Sequence, residues 1–260
     1  MLTNARQKMI ESIAVRDGEV IISKVARELG VSIETIRRDI NALCTRNLLI
    51  KVHGGAVPAQ APISEAAYSQ RKKTGSAVKN RIGAAAAELI RNDQVVAFST
   101  GSTMEAVASH IRDVRNLTVL TNSLPIGQTL VDMGERGDFD GKVILFGGQL
   151  HPTERLTFGT AVTEQISKYF ADIVFVSAAA VCESGLMTTG TDEGNIARRL
   201  IECGSKVVLV IESKKIGKRS VYRYGDLESI HTIITDNEQE ISPEMLTFLK
   251  EQNIELIVVK

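Results

Sequence analysis

Four short segments of this 260-residue chain place small hydroxyl side chains, glycines or lysines directly after apolar, β-prone runs. Thr100-Gly101-Ser102-Thr103 follows residues 94–99, and Thr121-Asn122-Ser123 follows 117–120. Gly147-Gly148 follows 143–146, and Glu212-Ser213-Lys214-Lys215 follows 207–211. Glycine permits close backbone approach, hydroxyls donate, and a helix starting there turns free N–H groups toward an anion. A lysine adds a point charge suited to a phosphate. Singly, such residues are ordinary turn chemistry. Four of them on one sheet edge predict a small anionic ligand. The candidate contacts are Ser99, Thr100, Gly101, Ser102, Thr103, Thr121, Asn122, Ser123, Gly147, Gly148 and Lys214, with Glu193 added from a helix near Asp192. Glu193, Arg198 and Arg199 also read as an ordinary salt-bridge set on a helix surface.

A different chemistry lies near the N-terminus. Glu34, Thr35, Arg37, Arg38 and Asn41 share one face of a helix that Ser32 can cap, while Ile33, Ile36, Ile40 and Leu43 form the opposite face. Guanidinium groups are planar and permanently charged, so Arg37 and Arg38 suit DNA phosphates or guanine edges. Lys51, His53 and Gly54 follow in a strand and tight turn, where a wing would meet the DNA backbone.

The surrounding pattern supplies the scaffold for both. Residues 3–15 carry Met9, Ile10 and Ile13 at helical spacing, and Asp17-Gly18 ends the run. Residues 20–22 read as a short strand. Ser23 is the expected N-cap of a second helix bearing Val25, Ala26 and Leu29, with Gly30 as its C-cap. Two helices joined by so short a glycine-containing turn predict a helix-turn-helix, and the strand at 48–52 with the turn at 53–55 makes it winged. This domain is assigned to residues 1–57. Residues 58–78 are expected to be a hinge, because 56–62 is rich in Ala and Pro; a helix at 64–73 would end in the basic triplet Arg71-Lys72-Lys73.

From residue 79 the strand and helix periods alternate. Helices are expected at 80–90, 103–111, 124–133, 161–169, 192–203 and from Pro243. Strands are expected at 94–99, 117–121, 143–146, 173–177, 207–211, 230–235 and 256–259. The alternation predicts an α/β domain over 79–260 with a mainly parallel sheet, whose ligands bind beyond the carboxyl ends of the strands.

Composition is consistent with two globular parts: 43% of residues are apolar and 24% charged. The whole chain is formally neutral, with 31 basic and 31 acidic residues, yet charge is segregated. Residues 1–57 hold nine basic and six acidic side chains, net +3; residues 58–81 are net +4, and the remainder net −7. A basic arm on an acidic body fits one polyanion-binding part and one kept off that polyanion. The longest uncharged apolar run, 173–182, is about half the ~20 residues of a membrane helix. With no signal-peptide pattern at the start, the expectation is a cytoplasmic protein with no membrane partner. Cys44, Cys182 and Cys203 form no C-x-x-C pair, and the four histidines show no metal-binding spacing, so neither metal nor cofactor is expected.

The run Val31-Ser32-Ile33-Glu34-Thr35-Ile36-Arg37-Arg38-Asp39-Ile40, with the later Val52-His53-Gly54-Gly55-Ala56, resembles the N-terminal signature of DeoR-type bacterial transcriptional regulators. Gly101-Ser102-Thr103, Thr121-Asn122-Ser123, Gly147-Gly148, Asp172 with Phe175, and Ser213-Lys214 look like landmarks of the same family's C-terminal domain. The family commonly carries Asp at the position of Ser99. The resemblance implies a repressor of a carbohydrate-utilisation operon that binds double-stranded operator DNA. It also implies a C-terminal sensor domain similar to ribose-5-phosphate isomerase, which takes a phosphorylated sugar as effector. A single helix-turn-helix reads one half-site, so a homodimer or higher homo-oligomer is expected. The competing reading is a sugar-phosphate isomerase-like enzyme with an appended DNA-binding module. Isomerisation needs a placed general base, for which Glu193 and Glu212 are the candidates beside the loops. Nothing in the spacing forces a nucleophile–base pair together, so no catalytic residue is assigned.

Overall fold

Apolar residues from the first sixty positions close on one another. Ile10 and Ala14 of α1 (Thr3–Asp17), Val25 and Ala26 of α2 (Ile22–Leu29), and Ile36, Ile40 and Leu43 of α3 (Ile33–Thr45) share one core. In this computed structural model the described residues are 3–17, 20–46, 48–52, 54–58 and 67–260. The chain divides into two units, Met1–Pro62 and Ile63–Lys260.

In the first unit β1 (Val20–Ile21), β2 (Leu49–Val52) and β3 (Gly55–Pro58) form an antiparallel sheet ordered β1-β3-β2. The helix-turn-helix and its wing are therefore as expected, with three local differences. Ser23 does not cap α2: the strand β1 runs straight into the helix, so Ile21 occupies the cap position and Ile22 N–H donates to Gly54 O at 3.2 Å. Ile33 is 47% exposed, and Asp39 takes a place on the buried face instead. Residues 56–58, which open the Ala- and Pro-rich stretch expected as linker, belong with Gly55 to the return strand of the wing. Gly30 caps α2 in the left-handed region at φ 64°, and the Oγ of Ser32 accepts from Thr35 N at 3.1 Å to start α3. Gly18, Asn47 and His53 lie outside the described residues, as do residues 59–66 of the expected hinge.

In the second unit, α4 (Tyr68–Lys73) and α5 (Ser76–Ala87) precede the sheet. Then follow β4 (Val95–Phe98), α6 (Ser102–Ser109), β5 (Thr118–Thr121), α7 (Leu124–Glu135) and β6 (Lys142–Leu145). A hairpin of β7 (Gln149–His151) and β8 (Leu156–Phe158) leads to α8 (Thr160–Ile166) and β9 (Ala171–Val176). Next come β10 (Ala180–Cys182), β11 (Gly185–Thr188), α9 (Thr191–Glu202), β12 (Gly204–Val210) and β13 (Tyr222–Gly225). The chain ends with β14 (Thr232–Asp236), α10 (Pro243–Glu251) and β15 (Glu255–Val259).

Seven of these strands make one parallel sheet ordered β15-β14-β12-β9-β4-β5-β6. Alternate residues face opposite sides, so Val96, Phe98, Phe175 and Val208 pack under α5, α6 and α7, while Ala97, Val174, Val176 and Leu209 pack under α8, α9 and α10. Starting at β4, the chain builds outward through β5 to β6, then crosses back to add β9, β12, β14 and β15 on the other side. The strand order reverses between β4 and β9. A crevice opens at such a reversal because consecutive connections leave in opposite directions.

Two parts of this unit were not expected. The β7–β8 hairpin and the antiparallel sheet β10-β11-β13 are built from strands of three or four residues, too short to show a period. Helix α4, by contrast, lies within the helix expected at 64–73, and with the first turn of α5 it occupies part of the segment also expected as hinge. Tyr68 is buried: its hydroxyl donates to Glu105, and the Arg155 guanidinium lies 5.7 Å from its ring centre. Arg71 pairs with Glu154 at 2.8 Å, and Lys72 with Glu105 at 2.8 Å. Among the described residues no helix is long and apolar enough to cross a membrane.

Candidate functional site

At the reversal between β4 and β9 the second unit holds a cavity of about 220 Å³. Its floor is the turn after β4, where Gly101 adopts φ 127° and a Cβ would stand 3.2 Å from Ser177 Oγ. The positive φ strains any other residue there, a Cβ would also crowd the Ser177 hydroxyl, and the turn delivers the N-terminus of α6 to the cavity. Ser99, Thr100, Gly101, Ser102 and Thr103 all line it. The first N–H groups of a helix have no partner within the helix, so this end is suited to an anion. Ser177, after β9, ties the two central loops together. Its N–H donates to Ser99 Oγ at 3.1 Å, its hydroxyl donates to Thr100 O at 2.8 Å, and its carbonyl accepts from Tyr224 OH at 2.7 Å.

Cations come from three directions. Lys79 is buried at 5% exposure on α5 and donates to the carbonyls of Arg71 and Thr74, the latter at 2.5 Å. Its Nζ lies 3.9 Å from Glu212, which also receives Lys214 at 2.6 Å. Burial lowers the Lys79 pKa, with Glu212 acting against that shift. Lys215 reaches the Ala178 carbonyl at 3.3 Å, and Arg71 lines the opposite wall. Four cationic side chains thus surround the cavity with two carboxylates, Glu212 and Glu193. Glu193 accepts from Thr100 Oγ1 at 2.9 Å and from Thr188 Oγ1 at 3.0 Å. Both carboxylates are held by donors within the protein.

Of the expected contacts, Ser99 to Thr103, Asn122, Glu193 and Lys214 line the cavity, whereas Thr121, Ser123, Gly147 and Gly148 do not. Thr121 is fully buried and donates to Phe98 O at 3.1 Å, while its Oγ1 accepts from Ser123 N at 3.1 Å. These two residues shape the turn that presents Asn122. Gly147 exchanges hydrogen bonds with Gln165 at 3.2 and 2.7 Å. Gly148 packs so closely that a Cβ would sit 2.6 Å from Phe158 O. Their strand, β6, is the sheet edge two places from β4, too far to share the central crevice. Arg198 and Arg199 are engaged elsewhere, by Tyr224 O at 2.9 Å and Glu202 at 2.6 Å. Asp172 accepts from Val95 N at 2.7 Å, and Phe175 stacks on Phe98 at 5.3 Å, so both brace the sheet.

Arg71, Thr74, Lys79, Ser177, Thr188, Lys215 and Tyr224 line the cavity without having been expected. One of them had a legible signal: Lys79 stands beside Val78 on the inward stripe of α5 with Ile82 and Ala86, where an unpaired lysine is not tolerated. Among the described residues no group of three metal-binding side chains occurs.

In the first unit, α3 exposes Glu34, Arg37, Arg38 and Asn41, with Thr35 half-buried behind the Ser32 cap. Arg37 and Glu34 are 3.7 Å apart on that exposed face. Lys51 is exposed on β2, and Gly54 turns the wing at φ 80°. Behind the face, Asp39 is only 4% exposed; it accepts two hydrogen bonds from Arg6 of α1 and one from Gln7 at 3.2 Å.

Comparison with known proteins gives two family matches: the DeoR-like helix-turn-helix domain over residues 6–61 and the DeoR C-terminal sensor domain over 75–237. The chain is 31% identical over 218 residues to the HTH-type transcriptional repressor GlcR of Bacillus subtilis, covering 84% of this chain and 82% of that protein. It is 28% identical over 257 residues to the glycerol-3-phosphate regulon repressor of Escherichia coli, covering 98% and 99%. A ribose 5-phosphate isomerase from Methanocaldococcus jannaschii aligns over 55% of each chain at 12% identity and a TM-score of 0.38.

Proposed function

We propose, from the premise that this chain belongs to the DeoR family of transcriptional regulators and is a regulator rather than an enzyme, that it represses a carbohydrate-utilisation operon and that a phosphorylated sugar alters its grip on operator DNA. The observation that carries the effector half is the cavity at the reversal of strand order. There the α6 N-terminus meets four cationic side chains and only two carboxylates, a balance that favours a phosphate dianion. Ser99, Thr100, Gly101, Ser102, Thr103, Asn122, Glu193 and Lys214 are its contacts, joined by Arg71, Lys79 and Lys215. The glycerol-3-phosphate regulon named in one relative supports a small phosphorylated metabolite.

For DNA, α3 enters the major groove with Ser32, Glu34, Thr35, Arg37, Arg38 and Asn41, while Lys51, His53 and Gly54 of the wing follow the backbone. Two copies reading paired half-sites make the working unit.

Replacing Arg37 or Arg38 with Ala should weaken operator binding by roughly 5- to 150-fold, the range of about 1–3 kcal/mol for a base contact. The second unit should stay folded. Unchanged affinity of both variants in gel shifts at fixed salt would remove α3 from the DNA. Calorimetry against a panel of sugar phosphates tests the effector half: an effector that binds one state better alters DNA affinity, and by linkage DNA alters effector affinity by the same factor. No heat across the panel, with unaltered DNA affinity, would sink it.

A further inference from the structure

α3 is held by two kinds of contact. Ile36, Ile40 and Leu43 pack into the core shared with Ile10, Ala14 and Val25. Such packing is non-directional, so it resists a small rotation of the helix about its axis less sharply than a directional contact does. The DNA-facing side chains do not tolerate it. An arginine tip lies about 9 Å from a helix axis, so a turn of roughly 20° moves it about 3 Å, a whole hydrogen-bond length.

The second contact is directional. Arg6 meets Asp39 through two guanidinium nitrogens, and Gln7 adds a third donor to the same carboxylate at 3.2 Å. The side chains are 11% and 4% exposed, and the partners are 33 residues apart, on different helices. A planar two-point pair admits one orientation of each group. It also neutralises a carboxylate that follows Arg38 directly in the chain, on a helix meant to face phosphates.

We propose that Arg6 and Asp39 are positioning residues for operator recognition: their pair sets the rotation of α3 against α1, and so aims Arg37, Arg38 and Asn41, without either residue touching DNA. This rests on the reading of α3 as the DNA-facing helix.

The test uses the full chain and a duplex that the wild type selects from a random pool, with a scrambled duplex as control. Breaking one side of a buried pair leaves a stranded charge, whereas replacing both sides with apolar groups commonly preserves the fold. The paired variant, Arg6→Met with Asp39→Leu, should therefore melt close to wild type. Its affinity for the selected duplex should fall at least tenfold. Binding to the scrambled duplex, and the slope of affinity against salt, should not move, because phosphate contacts remain. Arg6→Lys keeps the charge without the two-point geometry, and should lose part of the same discrimination.

Wild-type discrimination in a folded paired variant overturns the proposal, and so does an equal loss on both duplexes, which is what a merely structural pair would give. Should the paired variant not fold, Arg6→Lys decides: discrimination equal to wild type overturns the proposal. A wild type that selects no duplex at all fails differently, taking down the DNA-binding reading and this inference with it.

Discussion

Asp236 shows how a single buried carboxylate serves the cavity from outside it. Burial alone would raise its pKa, but donors from Ser213 Oγ (2.6 Å), Ser213 N (2.8 Å) and Glu238 N (2.8 Å) outweigh that and hold it below the usual 3.8. The acceptor fixes Ser213, the first residue of the short turn that carries Lys214 and Lys215 to the cavity. Because the folded pKa is the lower one, the unfolded chain takes up the proton first as pH falls. The stabilisation is then complete above the ordinary carboxylate range and is lost as pH drops through the folded value. Urea unfolding at pH 7 and in acid should show this slope. Asp236→Asn should flatten it and cost about 1–3 kcal/mol at pH 7, since the hydrogen bonds go to a charged acceptor. A variant as stable as wild type at pH 7 would contradict the assignment. Nothing in the residues around Asp236 announces this role, because Ser213 lies 23 positions away.

Helix α5 illustrates a packing decision that periodicity only half reveals. Val78, Ile82 and Ala86 mark its inward stripe, and Gly83 sits beside them. A Cβ at Gly83 would lie 2.7 Å from the Ala106 carbonyl carbon and 2.9 Å from Val107 N, both backbone atoms of α6. The two helices therefore approach at a spacing that only glycine allows, which keeps Lys79 and the α6 N-terminus on the same cavity. Gly83→Ala raises helix propensity, yet forces those backbones apart. The expected result is a net loss of about 1–3 kcal/mol, read as a fall of several degrees in the melting temperature. An unchanged or raised melting temperature would show that α6 can yield. Locally strong signals elsewhere were legible in advance. Gly30 and Ser32 delimit α2 and α3 by backbone and side-chain capping that depends on near neighbours alone. Ser23 does not cap α2, because the start of that helix is decided by β1, whose pairing partner lies more than thirty residues away.

The molecule as a whole carries its apolar residues in separate cores, one in Met1–Pro62 and two flanking the seven-stranded sheet of Ile63–Lys260. Calorimetry should accordingly resolve two unfolding transitions. A sugar phosphate at 100 times its dissociation constant should stabilise only the larger unit, by about 2.7 kcal/mol. A single transition shifted as one would mean that the units unfold together.

Amino-acid order alone determined the winged helix-turn-helix, the alternation of strand and helix after residue 79, and the family. These rest on signals that span a few residues: a helical period, a capping side chain, a left-handed glycine, an uninterrupted apolar strand. The four glycine- and hydroxyl-bearing turns were found by the same means. Which of them meet was decided by strand order, which places β6 at the sheet edge and leaves Gly147-Gly148 outside the cavity. The partners that complete the candidate surfaces, Lys79 with the turn after β12 and Arg6 with Asp39, come from segments distant in sequence. Their meeting depends on how whole elements pack, and no local preference encodes that.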